Sequence, residues 1–257
     1  MDRRRLLTLL TAGTAATLLG PAAARADSPI GAGSGGAPQV LPPDFGPKTP
    51  IGPGTLTALP GAGNHMALTI DDGASSETVG AFIDFARNTG ARFTFFVTAY
   101  YPGWRDHLDT LRPLVDSGQI QLGNHTWDHP DLTKLSAGAV ADQLNRCKQF
   151  LWNTYGTDGT PYYRPPFGYH NGAVDSVAAD CGYTVPTMWY GTLNDTNKTI
   201  DDGMLMDAAQ QWFRAQAIVI GHANRPTVTH LYDQFTDLLR QRNLQLVTLN
   251  DVLIPPR

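Results

Sequence analysis

Beyond residue 64, short runs of apolar residues alternate with longer stretches in which apolar positions recur at helical spacing. The short runs, each of strand length, are 66–70, 93–97, 120–122, 162–164, 183–189, 218–220 and 245–248. The longer stretches, each of helix length, are 77–88, 105–117, 136–155, 173–179, 203–214 and 231–240. Short buried runs joined by amphipathic stretches are typical of parallel strands with crossover helices. Seven such runs predict an α/β fold, a small or incomplete β/α barrel rather than a doubly wound sheet.

Residues with turn chemistry fall where these helices should end. Gly90, Gly118, Gly182 and Asn243 each follow a helical stretch and precede a strand-sized run, as expected for residues that end helices. Neither G-x-G-x-x-G after a strand nor G-x-x-x-x-G-K-[ST] occurs, so nucleotide binding has no support. In a β/α barrel the functional residues lie at the carboxyl ends of the strands, and candidates are therefore sought there.

The first 63 residues differ from the rest in composition and in the pattern of apolar positions. Residues 1–26 combine Arg3-Arg4-Arg5, a short apolar stretch and A-R-A at 24–26, which predicts a cleaved export signal, by the twin-arginine route with an ordinary secretory signal as the alternative. Residues 27–63 hold 8 Pro and 9 Gly, which predicts a linker or a loosely draped arm. Residues 64–257 then form the functional domain of an exported bacterial protein with no stable membrane insertion.

Composition and charge exclude other classes. The 257 residues carry 19 basic and 23 acidic side chains, for a net charge of −4, and no Lys/Arg run follows residue 5. This gives no electrostatic basis for nucleic-acid binding. Two cysteines, Cys147 and Cys181, are too few for a disulfide scaffold; they could pair after export or stay two thiols in neighbouring helices. Nothing in the sequence indicates an oligomeric state.

Two polar motifs follow predicted strands and could bind a metal together. Asp71-Asp72-Gly73 ends the first strand, and adjacent carboxylates need a cation or an arginine to stay ionised. His125 and His129, four residues apart after the third strand, can converge on one ion. Taken singly, these motifs could equally be an ordinary turn and a surface loop. Combined, they supply three ligands and leave open coordination positions, which indicates catalysis.

Two further motifs also follow strands. In R-P-P-F-G, Arg164 could hold a carboxylate ionised, although the segment could also be a Pro-rich connection with a solvated arginine. His222 ends the apolar run I-V-I-G-H, a position where a structural histidine is the common alternative.

Taken in order, T-x-D-D-G, H-T-x-x-H-P, R-P-P-F-G and I-x-H over residues 64–253 resemble the polysaccharide deacetylases, the NodB-homology family or carbohydrate esterase family 4. The resemblance implies a distorted barrel of the (β/α)7 type. It also implies a divalent metal, Zn²⁺ with Co²⁺ or Ni²⁺ as alternatives, bound by Asp72, His125 and His129. Asp71 would be the general base for the attacking water, and Arg164 would tether it.

The same resemblance assigns roles on the substrate side. His222 would be the general acid that protonates the leaving amine. The backbone N–H of Phe167 would stabilise the oxyanion, and Ile220, in place of the usual Leu, would line the slot for the acetyl methyl. Ala74 stands where many family members have Pro after D-D-G.

One segment departs from the family pattern. Members usually carry a motif like D-x-x-D-W after the fifth strand, whereas residues 192–196 read T-L-N-D-T. Asp195 matches, while Thr192 and Thr196 stand for the first Asp and the Trp. The partner of the acid histidine is thereby left open, and Trp189 or Tyr190 could supply the missing pocket wall.

The leading hypothesis is a secreted, metal-dependent hydrolase that removes acetyl groups from N-acetylated glycans, chitin oligomers or peptidoglycan. An O-acetyl esterase acting on xylan-like polymers is the first alternative, because the same site could attack an ester. A sugar-binding protein that has lost turnover is the second, favoured only by the altered segment 192–196.

Overall fold

The alternating pattern folds into a curled sheet of parallel strands with helices packed around it. The computed structural model describes residues 38–256. The predicted export signal, 1–26, and the first part of the predicted arm, 27–37, lie outside the described residues. Among residues 38–256, no helix combines the length and apolarity needed to cross a membrane.

The strands are short and mostly buried. They are β1 (Thr49–Pro50), β2 (His65–Asp72), β3 (Phe93–Val97), β4 (Ile120–Asn124), β5 (Tyr162–Tyr163), β6 (Val185–Pro186), β7 (Gly191–Thr192), β8 (Ile218–His222), β9 (Gln245–Leu246) and β10 (Leu253–Ile254). The main sheet has the order β6-β5-β4-β3-β2-β8-β7, with β9 added to β2, and its ladders are parallel. The predicted distorted barrel of β/α units is confirmed, as an open, curled form.

Helices connect successive strands and cover the sheet. They are α1 (Ser76–Thr89), α2 (Gly103–Asp106), α3 (Leu108–Asp116), α4 (Ala137–Tyr155), α5 (Gly172–Asp180), α6 (Asp202–Trp212), α7 (Tyr232–Gln241) and α8 (Leu249–Val252). Short 3₁₀ turns lie at Leu132–Lys134, Pro166–Gly168 and Pro226–Leu231. The four residues predicted to end helices, Gly90, Gly118, Gly182 and Asn243, all have positive φ.

Two predicted elements differ in the structure. The stretch 105–117 is not one helix but α2 and α3, which divide at His107 (φ −106°, ψ 19°). The His107 ring lies against α1, where its Nε2 is 2.8 Å from the carbonyl oxygen of Ser76, and this inward contact interrupts the helix. The run 183–189 forms only the short strand β6, and β7 was not predicted because it is two residues long and begins with glycine.

The core between the sheet and α1 is aromatic. Phe93 and Phe95 of β3 meet edge to face with ring centroids 5.1 Å apart, and Phe95 meets Trp104 in the same way at 5.0 Å. Trp104 is fully buried and donates its Nε1–H to the carbonyl oxygen of Asp72, 3.0 Å away. The core therefore contacts the end of β2 directly.

The described part of the Pro/Gly-rich segment, residues 38–63, lies along the β/α core. Thr49 and Pro50 pair in parallel with β10, and Leu56 bridges to Thr187 next to the edge strand β6. Leu59 is buried, and its backbone N–H donates to the carbonyl oxygen of Gln216 at 2.9 Å. Composition alone does not reveal these contacts, because backbone pairing depends little on side-chain identity.

Both cysteines are free thiols. Cys147 is buried in α4, with its Sγ 3.3 Å from the carbonyl oxygen of Val97, and Cys181 is partly exposed after α5. Of the two alternatives that the sequence leaves open, the structure has the unpaired one.

Candidate metal centre and active site

The carboxyl ends of β2, β3, β4 and β8 meet at one edge of the sheet, because the strands are parallel and nearly in register. Asp71 is opposite His222, Asp72 is opposite Val97, and Val97 is opposite Asn124. A cavity of about 540 Å³ opens at this edge. It is lined by Asp71, Asp72, His125, His129, Pro165, Phe167, Gly168, Tyr169, Trp189, Thr192, Thr196, Ile220, His222 and Asn224.

Three of the lining residues form a group that could hold a metal ion. One ligand atom from each of Asp72, His125 and His129 lies within 4.8 Å of the others. The Oδ1 atom of Asp72 is 3.3 Å from Nε2 of His125 and 3.2 Å from Nε2 of His129. These three residues are the predicted metal ligands, and the structure brings them together.

The chemistry of this donor set fits a cation. The Nδ1 atom of His125 is 2.7 Å from the carbonyl oxygen of Arg164, and because a carbonyl can only accept, Nδ1 carries the proton. The Nε2 atom of the same ring faces Asp72, whose Oδ1 is buried and has no hydrogen-bond partner among the described residues. Burial would raise the pKa of Asp72, but the neighbouring histidines His125, His129 and His222 hold that pKa well below its usual value. The carboxylate is therefore ionised in a group of donors that a divalent ion would complete.

Unusual backbone conformations concentrate around the cavity. Five of the seven non-glycine residues with positive φ within residues 38–256 lie at or beside it: Asp72, Thr126, His129, Phe167 and Asn194. In a regular strand, adjacent side chains such as those of Asp71 and Asp72 point to opposite faces. Asp72 has φ 71°, so the strand conformation ends there and both carboxylates reach the same cavity. Strained conformations of this kind persist where the surrounding structure enforces them, often at functional sites.

Asp71 is paired with a fully buried arginine. The Nη1 atom of Arg164 donates to Oδ1 of Asp71 at 2.6 Å and to the Thr69 hydroxyl at 2.9 Å. The remaining donors of the guanidinium reach the carbonyl oxygens of Thr187 (2.8 Å) and Met188 (3.1 Å). Arginine stays protonated in proteins, so its hydrogen bond to Asp71 is charge-assisted. The second oxygen, Oδ2, remains on the side of the metal ligands, 3.6 Å from Nε2 of His125.

His222 has a buried partner, Asp195. Nδ1 of His222 is 2.7 Å from Oδ1 of Asp195, and the backbone N–H of His222 donates to Oδ2 at 2.7 Å. Burial alone would lower the pKa of His222, but the hydrogen bond and charge of Asp195 outweigh it and raise the pKa to about 9. The altered segment 192–196 therefore still supplies a carboxylate to the histidine.

Of the residues predicted to bind the substrate, some line the cavity and others do not. Ile220 and Trp189 line the cavity, and Phe167 lies at its mouth, 57% exposed, with its ring 4.6 Å from that of His129. Tyr190 is outside the cavity lining and packs edge to face against Trp212 at 5.9 Å. Asp195 lies behind His222 rather than at the cavity surface.

Sequence reasoning missed Asn224, which lines the cavity and donates its Nδ2–H to Oδ2 of Asp72 at 2.6 Å. It also missed the carbonyl oxygens of Thr187 and Met188 that hold Arg164. Asn224 follows β8 by two residues, so a polar residue just beyond a strand end could have found it. The carbonyl partners leave no signal in a sequence.

Comparisons with known proteins find similar sequences among the polysaccharide deacetylases. The family model for polysaccharide deacetylase matches residues 59–186, which hold the first three motifs but not His222. Chitin deacetylase of Arthroderma benhamiae is 27% identical over 197 residues, 75% of this chain and 52% of its own. Peptidoglycan-N-acetylglucosamine deacetylase PgdA of Listeria monocytogenes is 27% identical over 188 residues, 73% of this chain and 38% of its own. The chain thus spans about half or less of the length of the curated relatives it matches.

Solved structures share the fold. A variant of peptidoglycan deacetylase PdaC from Bacillus subtilis is 25% identical, with a TM-score of 0.63, and the match covers 74% of this chain and 91% of that one. A family 4 carbohydrate esterase pseudoenzyme from Bacillus anthracis matches with a TM-score of 0.68 at 18% identity, over 80% of this chain and 74% of that one. The second match shows the fold alone. From its motifs, its sheet and these matches, the chain belongs to the polysaccharide deacetylase family.

Proposed function

We propose that the protein is a metal-dependent hydrolase that removes acetyl groups from N-acetylated glycans. The observation that carries this proposal is that one cavity holds the Asp71 carboxylate, the Asp72–His125–His129 group and His222. A site that only bound sugar would need neither an arginine-paired carboxylate nor a carboxylate-paired histidine beside its metal ligands.

Asp72, His125 and His129 would hold the ion, for which Zn²⁺ is our first candidate and Co²⁺ or Ni²⁺ the alternatives. A divalent ion supplies Lewis-acid chemistry, lowering the pKa of water and polarising a carbonyl. Asp72 and His125 are buried, and the bond from Nδ1 of His125 to the Arg164 carbonyl oxygen orients that ring for this task.

Asp71 would be the general base. Arg164 occupies its Oδ1 at 2.6 Å, which leaves Oδ2, on the side of the metal ligands, to accept a proton from water. The arginine also gives this buried carboxylate a charge-assisted hydrogen bond, which holds it in place.

His222 would be the general acid. Nδ1 is bound to Asp195, so the proton available for the leaving amine is on Nε2. An amide needs such a donor because an amine anion is a poor leaving group, and a pKa of about 9 keeps His222 protonated at neutral pH.

Three of the remaining predicted residues would bind the substrate. Ile220 would contact the acetyl methyl and Trp189 would form the wall that the sequence lacks at Thr196. The backbone N–H of Phe167, in a left-handed conformation at the cavity, would stabilise the oxyanion. Tyr190 and Asp195 have no direct role in substrate binding in this proposal.

Several relatives support N-acetylated glycans as the substrate class. Chitin deacetylase of Arthroderma benhamiae and two peptidoglycan deacetylases, PgdA and PdaC, each match over 73% or more of this chain. The pairing of Asp195 with His222 supports catalysis over a non-catalytic sugar-binding protein, because the altered segment 192–196 still supplies a carboxylate to the histidine. Export through the N-terminal signal is part of the proposal, since these substrates are extracellular polymers.

The test is acetate release from chitin oligomers, peptidoglycan and acetylxylan by the full chain loaded with Zn²⁺. We expect release from an N-acetylated substrate that disappears on chelation and in Asp72→Ala and Asp71→Asn. Asp84→Asn, which changes an exposed carboxylate on α1 paired with Arg87, is the matched control and should retain activity. Release from acetylxylan alone would replace the proposal with an O-acetyl esterase. Zn²⁺ binding without release from any substrate would replace it with a sugar-binding protein.

A further inference from the structure

One lining residue, Asn224, contacts a proposed metal ligand but belongs to none of the motifs that define the site. Its Nδ2 atom is 2.6 Å from Oδ2 of Asp72. Its Oδ1 atom accepts the backbone N–H of Ala74 at 3.0 Å. The side chain therefore bridges the loop after β8 and the loop after β2.

The direction of this amide is fixed by its partners. A backbone N–H can only donate, so the atom that faces Ala74 is the amide oxygen, and the NH₂ group must face Asp72. Asn224 thus donates to Oδ2 and leaves Oδ1 as the Asp72 oxygen that faces the two histidine Nε2 atoms, at 3.3 and 3.2 Å.

The two loops are also joined through their backbones. The N–H of Ala223 donates to the carbonyl oxygen of Asp71 at 2.9 Å, and the N–H of Ser75 donates to the carbonyl oxygen of Ala223 at 3.0 Å. These bonds fix the loop that carries Asn224 next to the loop that follows Asp72. A proline at position 74 would have no N–H for the amide oxygen. Ala74, a departure from the family pattern, is therefore what allows this anchor.

We infer that Asn224 is a positioning residue that presets Asp72 for metal binding, with Oδ2 held by the amide and Oδ1 free for the cation. This inference rests on the proposed function, because it assigns a role toward the metal. Hydrogen-bond partners of ligating groups orient them, and their loss weakens metal affinity about 10- to 100-fold.

The test measures Zn²⁺ affinity of the full chain by competition with a chromophoric chelator. Asn224→Leu keeps the branched shape and the number of side-chain heavy atoms but can neither donate nor accept, and Asn224→Ala removes the side chain beyond Cβ. Asn64→Ala is the matched control, because Asn64 also donates its Nδ2–H across two segments, to the Asn243 carbonyl oxygen at 2.7 Å, at the opposite end of β2. Thermal unfolding of each metal-free protein shows whether a variant is folded.

We expect both Asn224 variants to bind Zn²⁺ about 10- to 100-fold more weakly, and Asn64→Ala to bind it like the original chain. Activity of the Asn224 variants should return at higher Zn²⁺ with an unchanged KM for the chitin oligomer. A folded Asn224→Leu protein with the original Zn²⁺ affinity would overturn the inference and leave the proposed function standing. An original chain that binds no Zn²⁺ would overturn the proposed function, and the inference with it.

Discussion

In the proposed mechanism, the ionic partners of Asp71 and His222 suit one group to be the base and the other to be the acid. Arg164 places a positive charge beside Asp71, and Asp195 stabilises a positive charge on His222. The two pairs lie close together, because their strands β2 and β8 are adjacent. The two pairs make separate predictions.

Asp195→Asn tests the acid. As the proposed acid, His222 would act only when protonated, so kcat/KM of the original chain should fall as pH rises through about 9, the raised pKa. Removing the carboxylate charge should move this alkaline limb downward, toward the ordinary histidine value of about 6.5. The same shift affects folding, because a raised folded-state pKa adds stability that is full below pH ~6.5 and is lost as pH rises through the folded pKa.

The control for this pH profile is Asp202→Asn, which changes an exposed Asp–His pair with His230 at 3.2 Å. It should leave the alkaline limb in place. An unchanged limb in Asp195→Asn would mean that the histidine does not supply the proton.

Arg164→Met tests the support of the base. The substitution leaves Asp71 as a buried charge without its partner, and breaking a buried pair in this way costs about 3–5 kcal/mol of unfolding free energy. Arg87→Met removes an exposed pair with Asp84 and should cost about 1 kcal/mol or less. Urea unfolding of both variants gives the comparison, and equal losses would contradict the assigned role of the buried pair.

Among the secondary-structure elements, those that are long and have a clear hydrophobic pattern are predicted well from the sequence. The run 93–97 is β3 to the residue, and α1, α4 and α7 begin and end within one or two residues of the predicted stretches. Two-residue strands such as β7 carry too few side chains to form a pattern. The candidate site could be predicted because its side chains follow strand ends, whereas Asn224 and the carbonyl oxygens around Arg164 are recognised only through their contacts.

The break between α2 and α3 shows how one contact overrides a helical pattern. A Cβ atom on Gly80 of α1 would lie 2.6 Å from Cε1 of His107, so the glycine makes room for the inward ring. Gly→Ala in a helix normally stabilises by about 1 kcal/mol. Here Gly80→Ala should instead destabilise the chain, since the ring must move.

The same substitution in a His107→Ala background should recover its normal stabilising sign, because the obstructing ring is gone. Unfolding free energies of the two single variants and the double variant form the cycle. Additive changes in unfolding free energy would show that the His107 ring is not what makes a side chain at position 80 unfavourable.

Across the whole molecule, the segment before β2 is connected to the proposed base through backbone contacts. The N–H of Met188 donates to the carbonyl oxygen of Leu56 at 2.7 Å, and the carbonyl oxygen of Met188 accepts from Arg164 at 3.1 Å. The N–H of Leu56 donates in turn to the carbonyl oxygen of Pro186 at 2.9 Å. Residues 54–59 therefore cover the edge strand β6 and support the turn that holds the arginine.

A chain that begins at residue 60 should consequently lose both stability and catalysis, compared with a chain that begins at residue 38 and keeps every described contact. Without Leu56 the β6 edge has unpaired backbone groups, and exposed edges promote aggregation. The turn at 187–188 would also hold Arg164 less firmly, so kcat should fall more than KM rises. Thermal unfolding, light scattering and steady-state kinetics on the two chains measure these effects. If the shorter chain unfolds at a lower temperature but keeps its kcat, the segment covers the strand edge without supporting the base.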